Sequence, residues 1–389
     1  VNPEQTAPAV SLEEPLAPKR TRFEESWRLF RRNRMALAGM LVFAIFFFSA
    51  VIGLVLTSGS RPLFDPAQVH LPEKLLPPLS APHTESLKPA ERPPLGVYLF
   101  GTDDLGRDVF ARMLQGAWVS LTVGFVAVGI SVAIGIFMGG LAGFYGQRHI
   151  RLEQLLVTAA LLTGAGLLAA GRRSWGAGLL IIGHAWLFWS ISPWGLRHRK
   201  TLPAGLGFLR KKTLMVDTII MRFVDIMLCF PSFFLILTVV ALLPASIYNI
   251  MIVIGLTSWE GTARFVRAEF LSLREQDFVA AAKALGVSNF RIIFRHMVPN
   301  AIAPVLVSAT IGIASAILTE AGLSFLGFGV PPPHATWGNI LSDGKRFIFD
   351  APWLTFIPGA AILIVVLSFN LFGEGLRDIF NPRLRERNR

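Results

Sequence analysis

The feature that most constrains this chain is a series of apolar stretches, each about as long as a bilayer is thick. They fall at residues 37–57, 117–144, 155–170, 176–195, 223–243, 249–270, 301–323 and 353–372. A helix needs about 20 apolar residues to cross the hydrocarbon core. Only helices and closed barrels satisfy their backbone there. Barrel strands read as alternating segments of about ten residues, and these stretches do not alternate. Charged residues make up 16% of the chain, against about 25% in an average soluble domain. The expected fold class is an all-α polytopic membrane protein.

The formal net charge of +12 invites a nucleic-acid reading. The Arg and Lys residues, however, cluster beside the apolar stretches, as the cytoplasmic flanks of membrane helices do. Membrane lipid is therefore the expected neighbour, and no nucleic acid. Cys229 is the single cysteine and can form no internal disulfide. Residues 1–18 are polar and proline-rich, which predicts a disordered tail rather than a cleavable signal. Phe23, Trp27 and Phe30 share one helical face, with Arg28, Arg31, Arg32 and Arg34 around it. That pattern predicts an interfacial helix on the inner membrane surface; a plain stop-transfer flank gives the same orientation. The basic end "RDIFNPRLRERNR" predicts a cytoplasmic C-terminus.

The expected organisation follows. Residues 1–36 are a cytoplasmic tail and interfacial helix, 37–57 the first span, and 58–116 an extracytoplasmic loop and entry helix. Nine prolines between 58 and 99 keep that loop extended. Thr102 or Asp103 is expected to cap the helix leading into the second span. Gly135 and Gly139, four apart in that span, predict close approach of another helix. Residues 117–376 form the transmembrane core and 377–389 a cytoplasmic tail. The stretches 155–170 and 176–195, joined by "GRRSW", read as a hairpin within 148–213 that keeps both flanks on one side. About eight spans result, with both termini cytoplasmic.

One polar segment, "DFVAAAKALGVSNFRIIFRHMVPN" (277–300), lies in the cytoplasmic loop 271–300. Its first half is alanine-rich and helix-favouring, and Gly286 is placed for a left-handed cap. Ser288 or Asn289 can open a second helix carrying Ile292, Ile293 and Phe294, which Pro299 is expected to break. A slim helix with Ala280, Ala281 and Ala282 on its surface can enter a groove on a soluble partner.

The spacing Ala281, Ala282, Gly286, Pro299 is similar to the "EAA" loop of the membrane subunits of bacterial ABC importers. The family's glutamate falls at Ala280, its isoleucine at His296 and its leucine at Val298. The stretches "FEESWRLFRRNRMALAG", "FGTDDLGRDVFARMLQGAWVSL", "MRFVDIMLCFPSFFL", "EAGLSFLGFGVPPPHATWGNIL" and "FNLFGEGLRDIFNPR" resemble the second, C-type permease subunit of the dipeptide/oligopeptide/nickel family. The hairpin looks like an insertion between Gly146 and Val216.

The resemblance implies a type I ABC importer transmembrane fold with an extra hairpin. It implies that Phe278, Ala280, Ala281, Ala282, Gly286 and Pro299 belong to an ATPase-coupling loop. It implies a second homologous permease, two cytoplasmic ATPases that bind ATP and Mg, and an extracytoplasmic binding protein. Peptides are the substrate class implied, with nickel chelates and glutathione as alternatives.

The sequence carries no G-x-x-x-x-G-K-[ST] loop for ATP. Its seven histidines are scattered, so neither a metal nor a bound cofactor is expected in this chain. Glu260 and Glu320 are ionisable residues within spans, which makes them pathway or structural candidates. An intramembrane enzyme or ion channel is the alternative from another class, and it would need such groups to face each other.

Overall fold

The computed structural model describes residues 28, 30–59, 62–83, 85, 87–88, 91–151 and 212–380, with isolated positions between 160 and 184. Residues 1–18, Phe23, Trp27 and most of the expected hairpin lie outside the described residues.

The first span is helix α1 (Arg34–Thr57), capped by Asn33, whose side chain accepts from the Ala36 N–H at 3.1 Å. Phe30 is buried, with its ring edge-on to Phe372 at 5.8 Å. It therefore faces protein rather than lipid. Helix α2 (Val109–Tyr145) has 37 residues, about 55 Å of rise, well over a bilayer core. Its cap is Asp108, which accepts from the Phe110 N–H; the expected Thr102 and Asp103 do other work. Gly101 and Gly106 adopt φ of +74° and +72°, and the turn they make folds the chain back on the loop. There the Thr102 hydroxyl donates to the Glu73 carbonyl at 2.5 Å and accepts from the Leu76 N–H at 2.8 Å. The described part of this loop is thus packed against the entry of α2, with a 3₁₀ turn at Leu71–Glu73.

After α2 the chain forms β1 (His149–Arg151), which pairs antiparallel with β2 (Lys212–Met215). The insertion leaves and returns through this two-stranded neck.

Two of the expected spans are broken. In place of one helix over 223–243, α3 (Val216–Cys229) and α4 (Ser232–Leu242) meet at 82°. Pro231 has no N–H to continue the ladder, and the preceding Phe230 is extended. In place of one helix over 249–270, α5 (Ile247–Thr257) and α6 (Glu260–Arg274) are separated at Ser258–Trp259. α5, at 11 residues, is too short to span. The carbonyl of Ser258 is satisfied by the Ser131 hydroxyl at 2.8 Å.

The loop helices α7 (Asp277–Ala284) and α8 (Asn289–Arg291) follow, then a π-helical turn at Ile292–Met297 and α9 (Val298–Phe325). The expected break at Pro299 does not occur: the chain stays helical from Asn289 to Phe325. The wide π turn accommodates the missing N–H, and the Asn300 side chain donates to the His296 carbonyl at 2.6 Å. Helix α10 (Trp337–Gly344) opens on a capping box at Thr336, and α11 (Trp353–Phe380) closes the bundle. Among the described residues, four helices are long and apolar enough to span, or five with α3–α4 as one broken span.

α2 runs beside α1, α3, α5, α6 and α9. A Cβ on Gly139 would lie 2.4 Å from the Ala263 carbonyl, and one on Gly135 2.6 Å from Thr262. The close approach expected of that glycine pair is thus made by α6. Gly129, on the same helix, has nothing within 4 Å. Gly139→Val is expected to destabilise the protein by about 1–3 kcal/mol through overpacking. Gly129→Ala should be neutral or slightly stabilising. Thermal unfolding in detergent checks both.

Candidate functional site

The polar loop is built on the end of α6. Two ion pairs tie that helix to α3: Arg267 chelates Asp217 through Nε and Nη2, and Arg264 reaches Asp225 at 2.6 Å. The charges that interrupt residues 249–270 therefore belong to a separate helix clamped to its neighbour.

From α6 the chain turns at Gln276 into α7. Val279 and Ala282 point inward and are buried beside Phe144, Phe270, Ile292, Ile293 and Met297. The helix ends as a Schellman motif: the Val287 N–H bonds the Ala282 carbonyl at 3.1 Å, and Gly286 takes φ of +72°. Ser288 precedes α8 without a side-chain cap bond.

This arrangement sorts the candidates. Ala280, Ala281 and Gly286 are exposed and Phe278 is half-buried, whereas Ala282 is packed against its own chain. Ala282 is thus removed from the slim outer face on which the sequence places it. Pro299 is exposed within the continuing helix. The outward apolar groups are ones that the alanine pattern hides: Leu285 is 83% exposed and Phe290 70%. Phe290 and Phe294 lie with ring centroids 4.5 Å apart and their planes tilted by 41°, and the i, i+4 spacing of the two rings was the signal available for them. Lys283, Arg291 and Arg295 are exposed on the same loop, with the Lys283 ammonium over the Phe144 ring at 5.5 Å.

Glu260 and Glu320 do not form a pair. Glu260 opens α6, with one carboxylate oxygen buried and without a hydrogen-bond partner. Glu320 is fully buried in α9. It accepts from Ser324 at 2.6 Å and from Ser120 of α2 at 3.3 Å. The Ser120 hydroxyl also lies 3.4 Å from the Trp337 N–H, so this one carboxyl group links α2, α9 and α10.

A second charged cluster escaped sequence reasoning. Asp103, completely buried, bonds Arg107 at 2.7 Å and Arg112 at 2.5 Å. Arg112 Nη2 continues to Asp343 of α10 at 2.9 Å. Two cations and two carboxylates close a neutral network that locks the loop before α2 onto α10. The i, i+4 spacing of Asp103 and Arg107 was visible in the sequence; the arrival of Asp343 was not. A buried cation of this kind is tolerated only with its partners in place.

An apolar bundle with broken helices inside it, and a basic, aromatic helical loop outside it, defines the class: a multi-pass α-helical membrane protein. Residues 202–386 match the family described as "Binding-protein-dependent transport system inner membrane component". Residues 21–78 match the "N-terminal TM domain of oligopeptide transport permease C". The chain is 33% identical over 363 residues to the dipeptide transport system permease protein DppC of Alkalihalophilus pseudofirmus, covering 93% of this chain and 90% of that one. It is 30% identical over 357 residues to the oligopeptide transport system permease protein OppC of Bacillus subtilis, covering 92% and 88%. It is 32% identical over 370 residues to the DppC protein of Haemophilus influenzae, covering 95% and 97%. The chain belongs to the family of binding-protein-dependent transport system inner membrane components. It is the permease component of an ABC importer, a multi-pass inner-membrane protein and not an enzyme, and permeases of this family work with ATPase and substrate-binding partners. That membership decides against the intramembrane enzyme and the ion channel.

Ala282→Glu is expected to fail at folding, since it buries an uncompensated carboxylate, at a cost of about 3 kcal/mol or more. Ala281→Glu should unfold at the wild-type temperature. Arg112→Met is expected to destabilise by about 3–5 kcal/mol by leaving buried charge uncompensated. Unfolding of the purified variants in detergent reads all three.

Proposed function

We propose that this chain forms half of the translocation path of an ATP-driven peptide importer, facing a second, homologous permease. Both termini and the α7–α8 loop are cytoplasmic in this reading. Two ATPase subunits bind ATP and Mg, and an extracytoplasmic binding protein delivers the substrate. The peptide class rests on the relatives, which are dipeptide and oligopeptide transport permeases by name. The orientation rests on charge: Arg28, Arg31, Arg32 and Arg34 stand exposed beside α1, and Lys283, Arg291 and Arg295 stand exposed on the loop. Positive residues collect on the cytoplasmic side.

The observation that carries the proposal is the two-sided build of the loop. Val279, Ala282, Ile292 and Ile293 anchor it to the bundle, while Leu285, Phe290 and Phe294 are left outside. An exposed aromatic patch on a loop that also exposes cations suits a groove on a soluble partner, and aromatic side chains dominate the energetics of such contacts. When the ATPases close on ATP, they draw on this patch. The pull passes from α7 through the shared core to α6. From α6 it passes through the Arg267–Asp217 and Arg264–Asp225 pairs to α3 and the bend at Phe230–Pro231. The bend is the two-state element; the ATPase must hold its two settings with different affinity, or nothing is transmitted. Alternating access between the two permeases follows.

The test is ATP-dependent uptake of labelled dialanine into proteoliposomes holding the complete importer. Phe290→Asp is expected to reduce uptake at least about tenfold, because it places a charge where an aromatic anchor docks, while the variant unfolds at the wild-type temperature. Wild-type uptake by Phe290→Asp would sink the docking reading. Uptake of a nickel chelate or glutathione in place of dialanine would move the substrate to those classes. Ala280 is exposed, so Ala280→Glu should leave assembly and uptake intact.

A further inference from the structure

Helix α1 has two sides of opposite build. Ala36, Gly39, Ala50, Gly53 and Thr57 are buried, at the spacing of one helical face. A Cβ on Gly39 would lie 2.8 Å from Leu371 Cβ, and one on Gly53 2.6 Å from the Leu114 carbonyl oxygen. These small residues are where α1 meets α11 and α2. On the opposite side Leu41, Ile45, Phe48, Ile52 and Val55 repeat with the same spacing, and each is at least 55% exposed. Helices in hydrocarbon pack through small residues. A stripe of large side chains is therefore the side turned to acyl chains.

Arg34 stands at the head of this stripe, two turns before Leu41, and is exposed. Arg28, Arg31 and Arg32 precede it, also exposed, at the spacing of one helical face. None of the four guanidiniums is bonded to a described residue. The stretch that carries them is anchored. Phe30 is 3% exposed and packs with Ala36, Phe372 and Ile379. The Asn33 side chain donates to Asp378 at 3.2 Å. Gly375 leaves room for Ala36, since a Cβ there would lie 2.1 Å from the Ala36 Cβ. On the end of α11, the carboxylates of Glu374 and Asp378 are offset in part by Arg377, all three exposed. Positive charge therefore stays in excess beside α1. An anchored set of cations loses less freedom on binding than a loose basic tail does.

We propose that this side of α1 binds an anionic phospholipid, its phosphate taken by the arginines at 28–34 and an acyl chain laid along Leu41, Ile45 and Phe48. Arginine suits the role, because its planar fork of five N–H donors matches phosphate oxygens. The apolar stripe separates a lipid from a free anion: it begins at the arginines and runs into the hydrocarbon. The site requires that α1 span the membrane; it depends on neither the substrate nor the partners of the importer. A loose basic tail is drawn to a charged membrane by its total charge, whereas an anchored site depends on where the charges sit.

The experiment is native mass spectrometry of the full chain in detergent. It is titrated with phosphatidylglycerol, with phosphatidylcholine of the same acyl chains, and with inorganic phosphate. Phosphatidylglycerol is expected to bind at least about tenfold more tightly than phosphatidylcholine. Arg31→Gln, Arg32→Gln and Arg34→Gln together should abolish that preference, while the variant unfolds at the wild-type temperature in lipid-free detergent. Should the triple variant fail to fold, Arg34→Gln alone carries the comparison, with a loss of about fivefold. Removing equal charge elsewhere, by Arg291→Gln, Arg295→Gln and Arg346→Gln, should leave the preference intact. A second readout uses Leu41→benzoylphenylalanine, a photo-crosslinker, in the complete importer, in vesicles where phosphatidylglycerol is the minor lipid. Its adducts to phosphatidylglycerol are expected above the share of that lipid in the membrane. Equal binding of the two lipids, equal loss in both triple variants, or wild-type preference in the arginine variants overturns the inference. Displacement of the lipid by inorganic phosphate at the same concentration makes the site one for a free anion and overturns it too. A crosslink from position 41 to another protein chain shows that a partner covers the stripe, and the lipid site falls.

Discussion

The structure depends on how close other helices can come to α2. In hydrocarbon there is little hydrophobic drive for helix to meet helix, so association rests on van der Waals contact and a few polar links. Gly135 and Gly139 let the backbone of α6 reach van der Waals contact with α2. The same helix carries Ser120 to Glu320 and Ser131 to the broken end of α5. Two hydroxyls of α2 thus serve polar groups of α9 and α5 inside the bundle.

From that axis the molecule divides into two ends with different chemistry. One end is closed by Asp103, Arg107, Arg112 and Asp343, a network with no net charge that pins the loop before α2 to α10. The other end keeps exposed cations and exposed aromatic rings on α7, α8 and the π turn. The first is made to stay together. The second is stable only on its inner side, and its outer side offers what a soluble partner can bury. The ion pairs between α6 and α3 connect that outer side to the bend at Phe230–Pro231.

The loop shows why residue type and residue direction are separate questions. Its alanines were legible as a slim helix, and Gly286 as its left-handed end, because both follow from local sterics. Which alanine faces in was not legible. Ala280, Ala281 and Ala282 are identical side chains, and only contact with Phe270, Ile292 and Met297 buries the third. Of the aromatic pair Phe290 and Phe294, only Phe294 is expected on the second helix, beside Ile292 and Ile293. Its exposure is decided by the turn that Ile292 and Ile293 make into the core.

What the sequence by itself determined is the membrane class, the position of α1, α2, α9 and α11, the cap at Gly286 and the small-residue stripe of α2. These follow from apolar length, glycine spacing and the absence of charge, all of which are local. The tertiary structure decided where long apolar runs break, since Pro231 and Ser258 end a helix only when bends and bonds elsewhere satisfy the freed backbone. It decided the pairing of Arg107 and Arg112 with Asp343, which joins segments far apart in the chain. A helix that is apolar all round carries no periodic mark of its inward face. In such a protein the direction of each side chain is settled only when the neighbours are in place.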